Sequence, residues 1–231
     1  MLRILLASKS KRRYQWLVEN LSTLGVEIDS RPLLTSEIEA RQGLNVNKQV
    51  EIICKDKAKN ASIEQVISED SGGKKYDLIL VSDTIIEDPD DSRLSLGKPK
   101  DNLGATSFLL RLSGRRHKVW TSTSILLPPG TADGGAMIEG GWLETNHTSS
   151  ATVEFTDLDH VSIEELVSSG SWKGKAGGYD LAGLAGKYCC LVEGKEVTVL
   201  GISHDSIEIL LSILSDEGHS PSSCGSPDTM S

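Results

Sequence analysis

Short apolar runs and stretches of helical spacing take turns along this chain, and the switches between the two patterns mark out its elements. Residues 3–7 form a brief apolar run that predicts a buried strand, and Ser10 then stands as N-cap of a helix with Leu17, Leu21 and Leu24 on its apolar side. Residues 26–31 predict a second strand, and 36–40 an acidic connection carrying Glu37 and Glu39. Over 50–66, Ile53, Lys57 and Ala61 recur at helical spacing, which can carry Lys57 towards the ends of the strands. Residues 77–81 are apolar without alternation, the pattern of a strand covered on both faces, and Asp83 falls just beyond them.

A turn rich in Asp and Pro over 87–93 leads to Leu96-Gly97-Lys98-Pro99-Lys100, and 105–112 predict a helix ending near Gly114. Residues 119–127 and 148–155 alternate Thr and Ser with aliphatic residues, so they predict an antiparallel hairpin around a Gly-rich insertion at about 128–147. A helix over 162–169, a strand pair 188–192 and 196–201 around Gly194, and a helix over 206–214 complete the pattern. From 215 to 231 the composition turns to Ser, Pro, Gly and Asp, which predicts a disordered tail. The expected architecture is a single α/β domain over 1–214 with a central sheet flanked by helices.

Composition narrows the function more than the fold. At 231 residues the chain can bury a large core, and its net charge of −9 argues against general nucleic-acid binding, which needs an excess of Lys and Arg facing phosphates. No apolar run approaches the length of a membrane span or a signal-peptide core, so a soluble, cytoplasmic protein is expected. Cys54, Cys189, Cys190 and Cys224 match no zinc spacing and are expected as reduced thiols, the last of them in the tail. Asp88-Pro89-Asp90-Asp91 lacks the glycine and terminal Glu of a calcium loop and is expected as a solvated turn.

Against that acidic background, the basic run Lys9, Lys11, Arg12 and Arg13 stands out. It opens a helix, where free N–H groups and the positive end of the dipole already favour an anion. Cations there cost roughly 0.3–1 kcal/mol each unless an anion is bound. A phosphate satisfies that condition, and so does a salt bridge to Glu37 or Glu39. Asp83, at the end of a buried strand, can hold a divalent ion or take a proton from water, or simply cap a turn. Pro99 stiffens the loop that presents Lys98. No Walker loop, Gly-x-Ser-x-Gly elbow or His-Glu-x-x-His motif occurs, and the five histidines are scattered, so each is expected to be structural.

Taken in order, these residues resemble the Maf family of nucleoside triphosphate pyrophosphatases. The resemblance rests on Leu6-Ala7-Ser8-x-Ser10-x-Arg12-Arg13, Lys57-Ala58, Ser82-Asp83-Thr84, Leu96-Gly97-Lys98-Pro99, Leu112-Ser113-Gly114-Arg115 with His117, and Lys175-Ala176-Gly177-Gly178-Tyr179, across most of residues 2–214. It implies an elongated α/β fold with a central mixed sheet and a cleft between two lobes. It also implies cleavage of a nucleoside triphosphate to the monophosphate and pyrophosphate with Mg²⁺ or Mn²⁺. By position, Asp83 is then general base and metal ligand, and Ser8, Arg12, Arg13, Lys57 and Lys98 hold phosphates. Thr84 after Asp83 resembles the branch acting on dTTP and UTP, and a homodimer is implied.

The chain also departs from the family's pattern. Lys11 stands where the family usually has Pro, and Asp180 where it has Gly after Tyr179. Ala40 falls on the usual acidic metal ligand, which leaves Glu39 or Glu37 to substitute, and Ala182 falls on the Gln or Glu near the base. The competing expectation is a nucleotide-binding regulatory protein with little turnover, tied to the control of cell division.

Overall fold

The run Leu2–Leu6 forms the first strand, β1, of a sheet in the computed structural model, which describes residues 1–217 apart from 37, 40, 42 and 132–134. After it come α1 (Lys11–Leu21), β2 (Val26–Ser30), α2 (Val46–Asp70), β3 (Leu78–Glu87), β4 (Ser95–Leu96) and α3 (Asn102–Leu112). The chain continues through β5 (Arg116–Leu127), β6 (Ala136–Met137), β7 (Leu143–Phe155), α4 (His160–Ser168), β8 (Cys189–Glu193), α5 (Glu196–Leu200) and α6 (His204–Glu217). The sheet runs β2-β1-β3-β5-β7-β6, with β4 paired to β3 and β8 to β7. β1 lies parallel to both its neighbours, and β3, β5 and β7 pair antiparallel, so the sheet is mixed as expected. Among the described residues, no helix is long and apolar enough to cross a membrane.

Side chains alternate between the two faces of each strand. Val81, Asp83 and Ile85 point towards α2, which lays Val50, Ile53, Ala58 and Ala61 on that face. The opposite face is divided. At one end Ile4, Leu6, Leu78 and Leu80 pack against α1, α5 and α6 through Leu17, Leu21, Val197 and Leu210. At the other, Ile86, Val119, Val153 and Phe155 pack against α3 and α4 through Leu109, Leu112, Ile163 and Leu166. Between these two cores the strands carry Ser82, Thr84, Thr121 and Thr123 on the shared face.

Several boundaries differ from the sequence reading, each for a physical reason. The strand expected to stop at 81 continues to Glu87 as β3, so Asp83 lies within it. The polar triplet Ser82-Asp83-Thr84 ends the apolar run, but β5 still supplies its backbone partners, Ser122 opposite Asp83. Residues 196–201, expected as a strand from Val197, Thr198 and Val199, form the short helix α5, ended by Gly201 in the left-handed region. Tertiary packing of Val197 and Val199 overrides their β-branched preference. The hairpin strands run further, to Arg116 and Leu143, and take up part of the expected insertion. Leu24 lies in a 3₁₀ turn and is exposed, leaving Leu17 and Leu21 as the buried side of α1.

Asp88 is not simply solvated. It is buried and takes a bidentate bond from Arg111, at 2.5 and 2.8 Å, which anchors α3 to the end of β3. Cys54 and Cys189 are buried free thiols and Cys190 is exposed; Cys224 and most of the expected tail lie outside the described residues.

His117 is structural, as expected of a histidine in this chain. It is buried against Phe155, its Nε2 lies 2.7 Å from the Tyr179 hydroxyl, and its Nδ1 has no partner among the described residues. Burial pushes its pKa down to about 4. Since the folded value lies below the unfolded one near 6.5, protonation favours the unfolded chain. The stability it contributes is complete above about pH 6.5 and is lost as the pH falls towards 4, by about 3 kcal/mol in all. Melting temperatures of wild type and His117→Gln between pH 7.5 and 4 are expected to converge as the pH falls; parallel curves would contradict this role.

Candidate functional site

The site originates in a mismatch of strand lengths. β1 stops at Leu6, opposite Leu80, whereas β3 continues to Glu87. The Ala7 amide still reaches the Leu80 carbonyl at 2.9 Å. Beyond it no backbone donor of β1 is left, and the Ser82 carbonyl accepts instead from Nη1 of Arg13, at 3.0 Å. The chain turns away at Ser8 and enters α1 through Ser10, whose hydroxyl caps the helix at the Arg13 amide. That cap places Arg12 and Arg13 in the first turn, beside the open edge of β3.

Arg13 is tied to several elements at once. Its Nε donates to the Gly201 carbonyl at 2.6 Å, its Nη2 to Thr84 Oγ1 at 2.9 Å, and Nη1 also to Ser8 Oγ at 3.2 Å. Thr121 Oγ1 gives its one proton to the Thr198 carbonyl at 2.7 Å. It therefore accepts from Thr84 across 3.0 Å, and Thr84 receives Arg13 on a lone pair. Gly201 is required at this point: its φ is +109°, and a Cβ there would stand 2.6 Å from Arg13 Nε.

On the other face Asp83 meets α2. Lys57 Nζ donates to Asp83 Oδ1 at 2.5 Å, with the two side chains 9% and 11% exposed. A pair this deeply buried is close to break-even for folding, because desolvating both charges offsets their attraction. Asp83 Oδ2 has no hydrogen-bond partner among the described residues, so one oxygen of this buried pair is left to the cleft.

The open edge of β3 is the floor of a cleft of about 740 Å³. Among the described residues, eight lysines and arginines line it, against one acidic residue, Asp83, in a chain whose net charge is −9. Its apolar wall is built from Ile86, Val119, Tyr179, Leu181 and Val199, with Leu33 on the opposite rim. Two loops are locked together to present Lys98 and Lys175: the Gly177 amide donates to the Gly97 carbonyl at 2.9 Å. Gly177 has φ +66°, and a Cβ would come within 2.8 Å of Ile86, so only glycine permits this approach.

Of the residues singled out from sequence, Ser8, Arg12, Arg13, Lys57, Asp83, Thr84 and Lys98 all line this cleft. Glu39 is exposed and is not among the lining residues, and Glu37 and Ala40 lie outside the described ones. Ala182 is exposed and off the lining, whereas Leu181 is on it. Among the described residues no group of three or more His, Cys, Asp or Glu could hold a metal ion. Sequence reasoning did not find Lys173 as a lining residue, nor that Asp180 pairs with Arg12 at 2.8 Å and with Lys175 at 3.3 Å. Two lysines two residues apart, just before the Gly177-Gly178 turn, were the available signal.

Fold and site together describe an α/β protein with a cation-lined cleft at an open strand edge. A family model described as Maf-like protein matches residues 3–214, and the chain belongs to the Maf family. The dTTP/UTP pyrophosphatase of Brucella abortus (strain 2308) is 30% identical over 217 residues, covering 94% of this chain and 92% of that one. The dTTP/UTP pyrophosphatase of Desulfitobacterium hafniense (strain Y51) is 30% identical over 211 residues, 91% and 84% of the two chains. A HAM1 protein from Coxiella burnetii is a weak structural likeness, with TM-score 0.36 and 16% identity over 67% of this chain and 73% of that one.

Two substitutions test this arrangement. Lys57→Met leaves the Asp83 carboxylate buried without its cation and is expected to cost about 3 kcal/mol, much of it recovered in Lys57→Met/Asp83→Asn. Denaturant midpoints check this, and a midpoint unchanged by Lys57→Met would contradict the buried pair. Gly201→Ala, which forces Arg13 aside in a strained backbone, is expected to destabilise by about 2 kcal/mol. An unaltered melting temperature would show that Arg13 does not brace the strand edge.

Proposed function

We propose that this protein is a nucleoside triphosphate pyrophosphatase, converting a nucleoside triphosphate and water to the monophosphate and pyrophosphate. One observation carries the reading: among the described residues a single buried carboxylate, Asp83, opens onto a cleft lined by eight cationic side chains. A triphosphate brings several negative charges, and such a cleft offsets them at low dielectric cost. The names of the relatives support the reaction and favour dTTP and UTP as substrates.

In this reading Lys57, Lys98 and Arg12 hold phosphate oxygens, with Ser8 and the opening turn of α1 adding hydroxyl and amide donors. Arg13, whose guanidinium is largely taken up by protein acceptors, braces the β3 edge and adds positive potential. Thr84 sits between that brace and the cleft and fixes where the strand edge meets the substrate. The apolar wall of Ile86, Val119 and Leu181 receives sugar and base. Asp83 takes a proton from the attacking water through Oδ2. The new bond forms at the α-phosphorus, the α–β bridging P–O bond breaks, and pyrophosphate leaves with the freed electron pair. Lys57, bonded to Oδ1, holds the Asp83 carboxyl in place and leaves Oδ2 to the water.

A divalent ion, Mg²⁺ or Mn²⁺, would be held in the cleft chiefly by substrate phosphates and water beside Asp83, since Mg²⁺ commonly keeps several waters and takes one or two carboxylates together with phosphates. Bound there, it would neutralise phosphate charge. Glu39, exposed and off the lining, is a less direct ligand than Asp83.

Incubation with dTTP or UTP and Mg²⁺ is expected to release pyrophosphate and the monophosphate, with kcat falling by about 10² or more in Asp83→Asn. Release of orthophosphate instead, or undiminished turnover in Asp83→Asn, would contradict the assignment. Nucleotide binding without any product would place the chain with the regulatory alternative.

A further inference from the structure

Asp180 holds two cations of the cleft, Arg12 in the first turn of α1 and Lys175. Its Oδ1 takes Arg12 Nη1 at 2.8 Å and its Oδ2 takes Lys175 Nζ at 3.3 Å. The carboxylate thus spans two cations, one on each oxygen, as two oxygens of a phosphate would. α1 has no acidic residue in its first turn, so Asp180, 168 residues away in sequence, is the anion that this positive helix end lacks on its own. Arg12 and Lys175 line the cleft and Asp180 does not. The loop bearing Asp180 is pinned by the neighbouring Tyr179, buried and bonded to His117 at 2.7 Å, so the carboxylate has little freedom to withdraw. The cations are therefore the partners that must move, and Lys175 Nζ must also leave the Ser171 carbonyl, to which it donates at 2.5 Å. Their side chains are 31% and 22% exposed, and both are long enough to turn from Asp180 towards the cleft.

We propose that Asp180 is a built-in counter-ion that substrate polyphosphate must outcompete for Arg12 and Lys175, so that this residue sets affinity for the phosphate chain and hastens release of pyrophosphate. The idea rests on the proposed function for its biological meaning, but not for its test. In the ligand-free protein the triad carries a net single positive charge, and removing Asp180 leaves two cations facing the cleft with no anion paired to them among the described residues. A densely charged polyphosphate gains most from that change, because it can bridge both side chains. The same carboxylate weakens the hold on the leaving pyrophosphate.

The test is the affinity of the full-length protein for inorganic tripolyphosphate, by titration calorimetry at low ionic strength, in wild type, Asp180→Asn and Asp180→Glu. Asp180→Asn is expected to bind roughly tenfold tighter, and Asp180→Glu to stay near wild type. In an Arg12→Gln background the gain from Asp180→Asn is expected to shrink, since one of the two competing cations is gone. Should the Asn variant melt early, Asp180→Ser carries the same expectation. In triphosphate turnover, a lower KM with kcat unchanged or reduced accompanies the tighter binding. Unchanged or weaker binding in a folded Asn or Ser variant overturns the proposal and makes Asp180 a group that positions Arg12, and absence of tripolyphosphate binding in every variant also overturns it. Tighter binding without turnover of any triphosphate would leave this inference standing and remove the proposed reaction.

Discussion

A sheet cannot leave a long strand half paired in its interior without finding partners for the exposed backbone. Here β1 ends opposite Leu80 while β3 continues for several more residues, so the middle of the sheet acquires an edge. Arg13 closes part of it with a side chain in place of a strand, bonding the Ser82 carbonyl, Thr84 and the Gly201 carbonyl together. The remainder of that edge stays open as the cleft. One geometric constraint therefore accounts for the opening, for the cation that braces it, and for the position of Asp83 on its floor.

The electrostatics of the cleft run against the ease of folding. Lys57 and Asp83 are nearly as buried as core residues, and an apolar pair of similar size would hold the fold at least as well. The other cations line the same cleft rather than spreading over separate surfaces, which sets like charges near one another. Local choices that oppose stability mark where function has shaped a protein. The pairing of Arg12 and Lys175 with Asp180 relieves part of this repulsion, and the two core clusters on either side supply the rigidity that keeps the rest in place.

Much of this was legible in the chain, and what was hidden was hidden for physical reasons. The first strand, its loop and the capped helix followed from an apolar run, Ser10 and the spacing of Leu17 and Leu21. Lys57 followed from helical periodicity, since Ile53, Lys57 and Ala61 recur at helical spacing and are all buried in α2. Asp83 within β3 was obscured because the polar triplet interrupts the apolar pattern while the ladder to β5 continues. α5 was misread as a strand because Val197 and Val199 have β-branched preferences that packing overrode. Arg13 as a brace could not be read at all. Its partners are backbone carbonyls and hydroxyls distant in sequence, and only folding brings Gly201 to it.

The most direct measurement is a crystal structure of the protein with a non-hydrolysable triphosphate, the α,β-methylene analogue of dTTP. The expected result places its phosphates in the cleft beside β3, within hydrogen-bond reach of Lys57 and Lys98, with the α-phosphorus facing Asp83 Oδ2. An analogue bound away from that strand edge, with the Lys57 and Asp83 pair untouched, would contradict the central claim.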